Sequence, residues 1–149
     1  MPRNDPARRT LANYPIVVPI LARFADMDAA AHINNVAVAQ YFEESRSAGL
    51  RELLHRTQYG DPADRVLVAR VAIDYVREAN YPGAFEVGVG VLNCGNTSLT
   101  LAQGLFQQGD CMALCDAVLV HLNEHGKSRW ADDKRRNMDR FRLKVSGPD

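Results

Sequence analysis

Cysteine is scarce in this chain, with Cys94, Cys111 and Cys115 the only three among 149 residues. An odd number without paired CxxC motifs excludes a zinc-ribbon arrangement, argues against a disulfide framework and fits a reducing cytoplasm. Cys94 and Cys115 fall inside apolar segments and read as small core side chains. The four histidines (His32, His55, His121 and His125) are dispersed, which leaves no metal cluster, and the last two straddle a strand end and read as surface. Charge of one sign is also lacking: 18 basic and 18 acidic residues cancel, so no general attraction to nucleic acid or membrane is built in. Apolar runs are too short to span a bilayer, and the charged opening has no apolar core of a secretion signal. A phosphate-cradling Gly-rich loop and a nucleophile elbow are absent, and Cys111 has no His at a suggestive spacing.

What is present reads as one domain. Residues 1–13, with Pro2, Pro6 and the Arg8-Arg9 pair, predict a flexible N-terminal tail, and residues 14–149 a single domain. A strand over 14–24 carries Pro19, which donates no ladder hydrogen bond and so argues for an edge position or a bulge. A helix over 35–54 follows a polar loop, and 55–65 is a connecting loop. Strands are then expected over 66–76, 85–92, 98–107 and 112–122, the last three forming a meander with short turns. Residues 132–141 make at best a short terminal helix. Gly49 inside the long helix marks close packing or early fraying. Gly88 and Gly90 share a strand face with Glu86, and a helix lying across that face would explain why glycine is used there. Gln103, Gln107 and Asp116 interrupt the apolar alternation of their strands. One long helix among these strands predicts an α+β domain, the helix on one face of an antiparallel sheet. The other sheet face then needs cover, which points to self-association.

The most informative stretch is Arg23-Phe24-Ala25-Asp26-Met27-Asp28-Ala29-Ala30-Ala31-His32-Ile33-Asn34-Asn35. It sets two carboxylates, an imidazole and two carboxamides directly ahead of the helix. Asn34 or Asn35 can cap that helix through its side-chain oxygen, and the exposed first-turn N–H groups favour developing negative charge. Either aspartate can be the reactive carboxylate, and a loop that only caps a helix has the same composition. Glu43 and Glu44 on the helix read as a solvated face or as partners of Arg46.

This stretch resembles the hot-dog-fold acyl-CoA thioesterase superfamily, specifically its 4-hydroxybenzoyl-CoA thioesterase-like branch. The similarity runs from Arg23–Asp28 through His32-Ile33-Asn34-Asn35 and Tyr41-Phe42-Glu43-Glu44-Ser45-Arg46. It continues in the Asp74-Tyr75 pair and the turn Gly95-Asn96-Thr97-Ser98. The resemblance implies a long central helix wrapped by a curved antiparallel sheet of five or six strands, in a homodimer or homotetramer. It also implies hydrolysis of an acyl-CoA thioester to a carboxylic acid and coenzyme A, with Asp28 as nucleophile or general base. The backbone N–H of Asn35 would be the oxyanion donor, His32 a further catalytic residue, and Gly95, Asn96 and Ser98 contacts to coenzyme A. Coenzyme A enters as part of the substrate, and no cofactor or metal is implied. Asp26 is expected to hold the loop by accepting backbone hydrogen bonds. The position before His32 is commonly glycine in the family and is Ala31 here. Two alternatives share the fold: a non-catalytic acyl-thioester binding protein, and an acyl-carrier-protein thioesterase with a basic rim from Arg129, Lys134, Arg135 and Arg136.

Overall fold

The structure, a computed structural model, describes residues 1–56, 60 and 65–144. The expected connecting loop over 55–65 lies mostly outside these described residues. Five strands, β1 (Ile16–Leu21), β2 (Arg65–Tyr75), β3 (Ala84–Cys94), β4 (Ser98–Gln107) and β5 (Asp110–Asn123), follow the order β1-β3-β4-β5-β2. A two-residue strand, β6 (Gly126–Lys127), adds to β5, and every pairing is antiparallel. Helix α1 (Asn35–Leu53) lies across the inner face, and α2 (Asp132–Arg140) sits near the C-terminal end of α1, where the Asn137 amide donates to the carbonyls of Glu52 and Leu53. This is the curved hot-dog arrangement. Pro19 is on β1, an edge strand of the sheet, where a residue without an N–H is tolerated.

The inner core follows from alternation. Val87, Val89 and Val91 of β3 and Leu101 and Leu105 of β4 are buried against α1, which contributes Val38, Tyr41, Phe42 and Leu53. Gly49 is a close-packing position: a Cβ there would stand 3.1 Å from Val89 Cγ1. Gln103 is fully buried under the helix and ties it to the sheet. Its amide donates to the Phe42 carbonyl and to Ser45 Oγ, both at 2.8 Å, while its Oε1 accepts from Arg46 Nη1 at 3.1 Å. Arg46 is therefore buried and turned inward to Gln103, whereas Glu43 and Glu44 stay exposed, so of the two readings of these glutamates the solvated face holds and the pairing with Arg46 does not.

The opposite face departs from the sequence reading. Residues 1–13, expected as a flexible tail, lie against the outer face of the sheet. Arg8 is fully buried, with Nη2 donating to the Cys115 carbonyl at 2.9 Å and Nη1 2.6 Å from Asp116 Oδ1. Arg3 reaches Asp74 at 2.8 Å and Asp116 at 3.2 Å. A charge buried this deeply is tolerated only when paired, and Asp116 supplies the pair. The glycine face of β3 belongs to this side as well. A Cβ on Gly88 would fall 2.4 Å from the Tyr14 ring, and one on Gly90 3.1 Å from Pro15. The close neighbours are thus the N-terminal segment and, at Gly90, Leu143 at 3.2 Å, and not a helix. His121, expected at the surface, is also buried, stacked on Trp130 at 4.4 Å between ring centres.

Candidate functional site

The chain between β1 and α1 is a loop braced from inside. After a single 3-10 turn, Phe24–Asp26, the Asp26 carboxylate is buried and accepts from the Arg23 N–H (2.9 Å), the Arg23 guanidinium (2.8 Å) and the Tyr41 hydroxyl (2.7 Å). Burial alone would raise its pKa. The donors from Arg23 and Tyr41 outweigh burial and hold the carboxyl below its ordinary value. Burial and the bond to Asp26 in turn push the Tyr41 hydroxyl well above its usual value. With its oxygens engaged in this way, Asp26 is a structural anchor, and its carbonyl also accepts the Asn34 N–H at 2.9 Å.

Asp28 differs on each count. It is exposed, and a single oxygen, Oδ1, accepts the N–H groups of Ala30 (2.9 Å) and His32 (3.1 Å). Its other oxygen makes no hydrogen bond among the described residues. The tight turn holding Asp28 closes through Ala31 N–H to the Asp28 carbonyl and Asp28 N–H to the His32 carbonyl, at 3.0 and 2.8 Å. Ala31 takes φ +62°, the left-handed region that glycine enters without penalty. The backbone conformation associated with glycine is thus kept, with alanine in it.

The loop ends at the helix. Asn34 is the cap, its Oδ1 accepting the Ala37 N–H at 2.8 Å, and Asn35 is the first helical residue. A first-turn amide has no intrahelical acceptor. Asp28, His32 and Asn35 line one cavity of about 290 Å³. Tyr75, Arg77 and Glu78 complete its polar side, and Ile33, Val38, Leu105, Met112 and Ala113 line it with apolar surface. The His32 Nε2 is 3.2 Å from a Glu78 carboxylate oxygen, and the Tyr75 hydroxyl is 3.5 Å from the Asn35 carbonyl. Arg77 and Glu78 escape sequence reasoning because they follow β2 in an unpatterned segment. What brings them here is the pairing of that segment with the loop, through the His32–Asn80 bridge and the Ile33 N–H bond to the Ala79 carbonyl.

Gly95, Asn96 and Ser98 are not part of this cavity. Ser98 opens β4 and the cavity residue Leu105 lies seven positions further along, about 23 Å away at the rise of an extended strand. The turn is held by the C-terminal segment: the Trp130 indole donates to the Ser98 carbonyl, the Trp130 N–H to Asn96 and Arg135 to Gly95. Arg135, one of the four residues named for a basic rim, therefore sits at this far end with α2. No cysteine is among the residues that line the cavity. Burial pushes Cys115 up to about 12 and raises Cys94 and Cys111, which keeps them neutral.

The fold finds counterparts among known proteins. Residues 22–142 match the family model of the thioesterase-like superfamily, and the chain belongs to that family. Among solved structures it is similar to a protein from Pseudomonas aeruginosa strain PAO1 (TM-score 0.82, 22% identity, 93% of this chain and 99% of that one). It is similar to a protein from Bacillus stearothermophilus described as a predicted thioesterase, with TM-score 0.79, 26% identity, and 88% and 98% coverage. A third is a thioesterase from Thermus thermophilus solved in complex with coenzyme A and zinc, with TM-score 0.73, 25% identity, and 84% and 98% coverage. No curated protein sequence matches the chain. No helix among the described residues is long and apolar enough to cross a membrane.

Proposed function

We propose that this protein hydrolyses an acyl-CoA thioester to a carboxylic acid and coenzyme A in the cytoplasm, with Asp28 as the reactive carboxylate. The observation that carries this reading is the cavity that joins an Asp28 oxygen free of hydrogen bonds among the described residues, the first turn of α1 and an apolar lining. The acyl group lies against Val38, Leu105 and Met112. Asp28 either attacks the carbonyl carbon or takes a proton from a water that does. As the carbon–oxygen bond forms, negative charge moves to the carbonyl oxygen, where the Asn35 N–H and the helix dipole stabilise it. Collapse of the intermediate expels the thiolate of coenzyme A. With attack by Asp28 the product is a mixed anhydride, which water then opens to the free acid. His32, held by Glu78, lines the same space and contacts the substrate.

Association of two copies accompanies this reading. On its outer side β2 has no partner strand among the described residues, and Leu67, Val68, Val71 and Tyr75 are exposed along it. Joining two sheets at this edge places Tyr75, a cavity residue, at the subunit boundary, and a further pairing of dimers gives a tetramer. Gly95, Asn96 and Ser98 then contact coenzyme A only from another copy, given their distance from the cavity in their own chain.

The test is Asp28→Asn assayed against short, long and aromatic acyl-CoAs. The asparagine retains the Oδ1 that accepts the Ala30 and His32 amides, so the loop keeps its shape. Loss of the carboxylate should lower kcat by about 10²- to 10⁴-fold, the usual contribution of a positioned acid or base. Near-normal turnover by this variant would overturn the assignment. Tight acyl-CoA binding by the wild type without turnover would favour the binding-protein alternative.

A further inference from the structure

We infer that the N-terminal segment completes an anion seat beside the cavity, in which Arg9 and Arg77 take a phosphate group of the thioester carrier. The inference rests on the thioesterase reading and adds to it the part of the substrate that the cavity itself does not hold. A second depression, of about 170 Å³, adjoins the cavity and is lined by Arg9, Val76, Arg77, Gly109, Asp110 and Cys111. Val76 and Arg77 line both hollows, so the two share a wall and the second lies beside the first along the surface.

Three features make this seat fit an anion. Arg9 is exposed and has no ion pair among the described residues, so its guanidinium is available. Arg77 is largely exposed and only loosely held, 3.6 Å from Asp110, which leaves most of its donors free. Against the single carboxylate of Asp110, the two guanidinium groups leave the depression with a formal charge of +1, while Glu78 faces the neighbouring cavity. The position of Arg9 is fixed by its neighbour: Arg8 is buried and locked to Asp116 and the Cys115 carbonyl, so Arg9 leaves the segment at the rim. The ordered N-terminus thus has a use beyond covering the sheet. Guanidinium groups bind phosphate oxygens by paired charge-assisted hydrogen bonds, which suits either the 4′-phosphate of phosphopantetheine or the nucleotide phosphates of coenzyme A.

The test compares carriers that differ only in phosphate. Wild type, Arg9→Gln, Arg77→Gln and the double variant are assayed with the same acyl group on coenzyme A, on 4′-phosphopantetheine and on pantetheine. Affinities for the three free thiols are measured by calorimetry in parallel. The preference in kcat/KM for acyl-CoA over acyl-pantetheine should fall about fivefold per arginine and about 25-fold in the double variant, as for the loss of one exposed charged contact each. The preference should also weaken in the wild type as salt is raised. A drop seen with coenzyme A alone assigns the seat to the nucleotide phosphates. A drop shared by coenzyme A and phosphopantetheine assigns it to the 4′-phosphate that a carrier protein also bears. An unchanged preference in all variants would overturn the inference. If the wild type hydrolyses nothing, the thioesterase reading fails, and the calorimetric ratios still decide the seat.

Discussion

Ala31 sits where its Cβ is unwelcome, and replacing it with glycine tests the geometry of the loop that holds Asp28. At φ +62° the left-handed conformation costs a non-glycine residue about 1–2 kcal/mol. Glycine removes that strain but brings an unfolded chain with more freedom to lose, a cost of about 0.4–1 kcal/mol. The midpoints of the two ranges predict a net gain of about 0.8 kcal/mol for Ala31→Gly. Ala31 is exposed, so no packing is lost, and its two backbone bonds, to the Asp28 carbonyl and from the Tyr81 N–H, are available to any residue. For a chain of this size, 1 kcal/mol moves Tm by about 2–4 °C, so the expected rise is about 1–4 °C by calorimetry or thermal circular dichroism. Ala31→Asn should fall between alanine and glycine, because asparagine tolerates this region, and Ala31→Val should lie below alanine. A lower Tm for the glycine variant, together with a valine variant equal to wild type, would refute the left-handed assignment and the loop built on it.

Two further substitutions test how the loop and helix are anchored. Gln103→Leu strips three hydrogen bonds from under α1 and leaves the Arg46 guanidinium buried without its acceptor, a loss of about 3 kcal/mol that urea unfolding would register; a change under about 0.5 kcal/mol would mean that the network does not hold the helix. Asp26→Asn tests linkage to pH. The folded carboxyl titrates below the ordinary 3.8, so its stabilisation is present above that value and is lost as pH falls from there through the lower folded-state value. The variant should be less stable at pH 7 and should lose less stability than wild type between pH 7 and pH 3, and parallel curves would contradict the depressed pKa.

The meander is legible in the sequence because its strands alternate and its turns are short: β4 is observed over the residues expected, and β3 and β5 differ from expectation only at their ends. The start of α1 is legible for a local reason, since Asn34 carries its own cap. Asp28, His32 and Asn35 lie within eight residues of one another, so a single loop and helix start bring them to one cavity. Arg77 and Glu78 arrive there through strand pairing, which leaves no mark in local sequence. Alternation also shows which residues share a face without showing what covers that face, so the glycines of β3 suggest a helix although Tyr14 and Pro15 lie on them. Arg8 in a charged segment reads as solvated until Asp116, more than a hundred positions away, is seen beneath it. Gln103, Gln107 and Asp116 interrupt their strands for separate reasons: the first anchors α1, the second bonds Asn80 and the third pairs with Arg8 and Arg3.

The placement of Tyr14 on Gly88 bears on how this protein should be cut and tagged. Similarity to the family begins at residue 22, and a chain shortened to that boundary would lose β1 together with the whole outer covering segment. The bare patch left behind would include Ala102, Phe106 and Leu114, together with strand glycines that leave room for an aromatic ring. Such a truncation is a recipe for an insoluble fragment. A purification tag belongs at the other terminus, where it leaves the Arg3 and Arg8 ion pairs undisturbed.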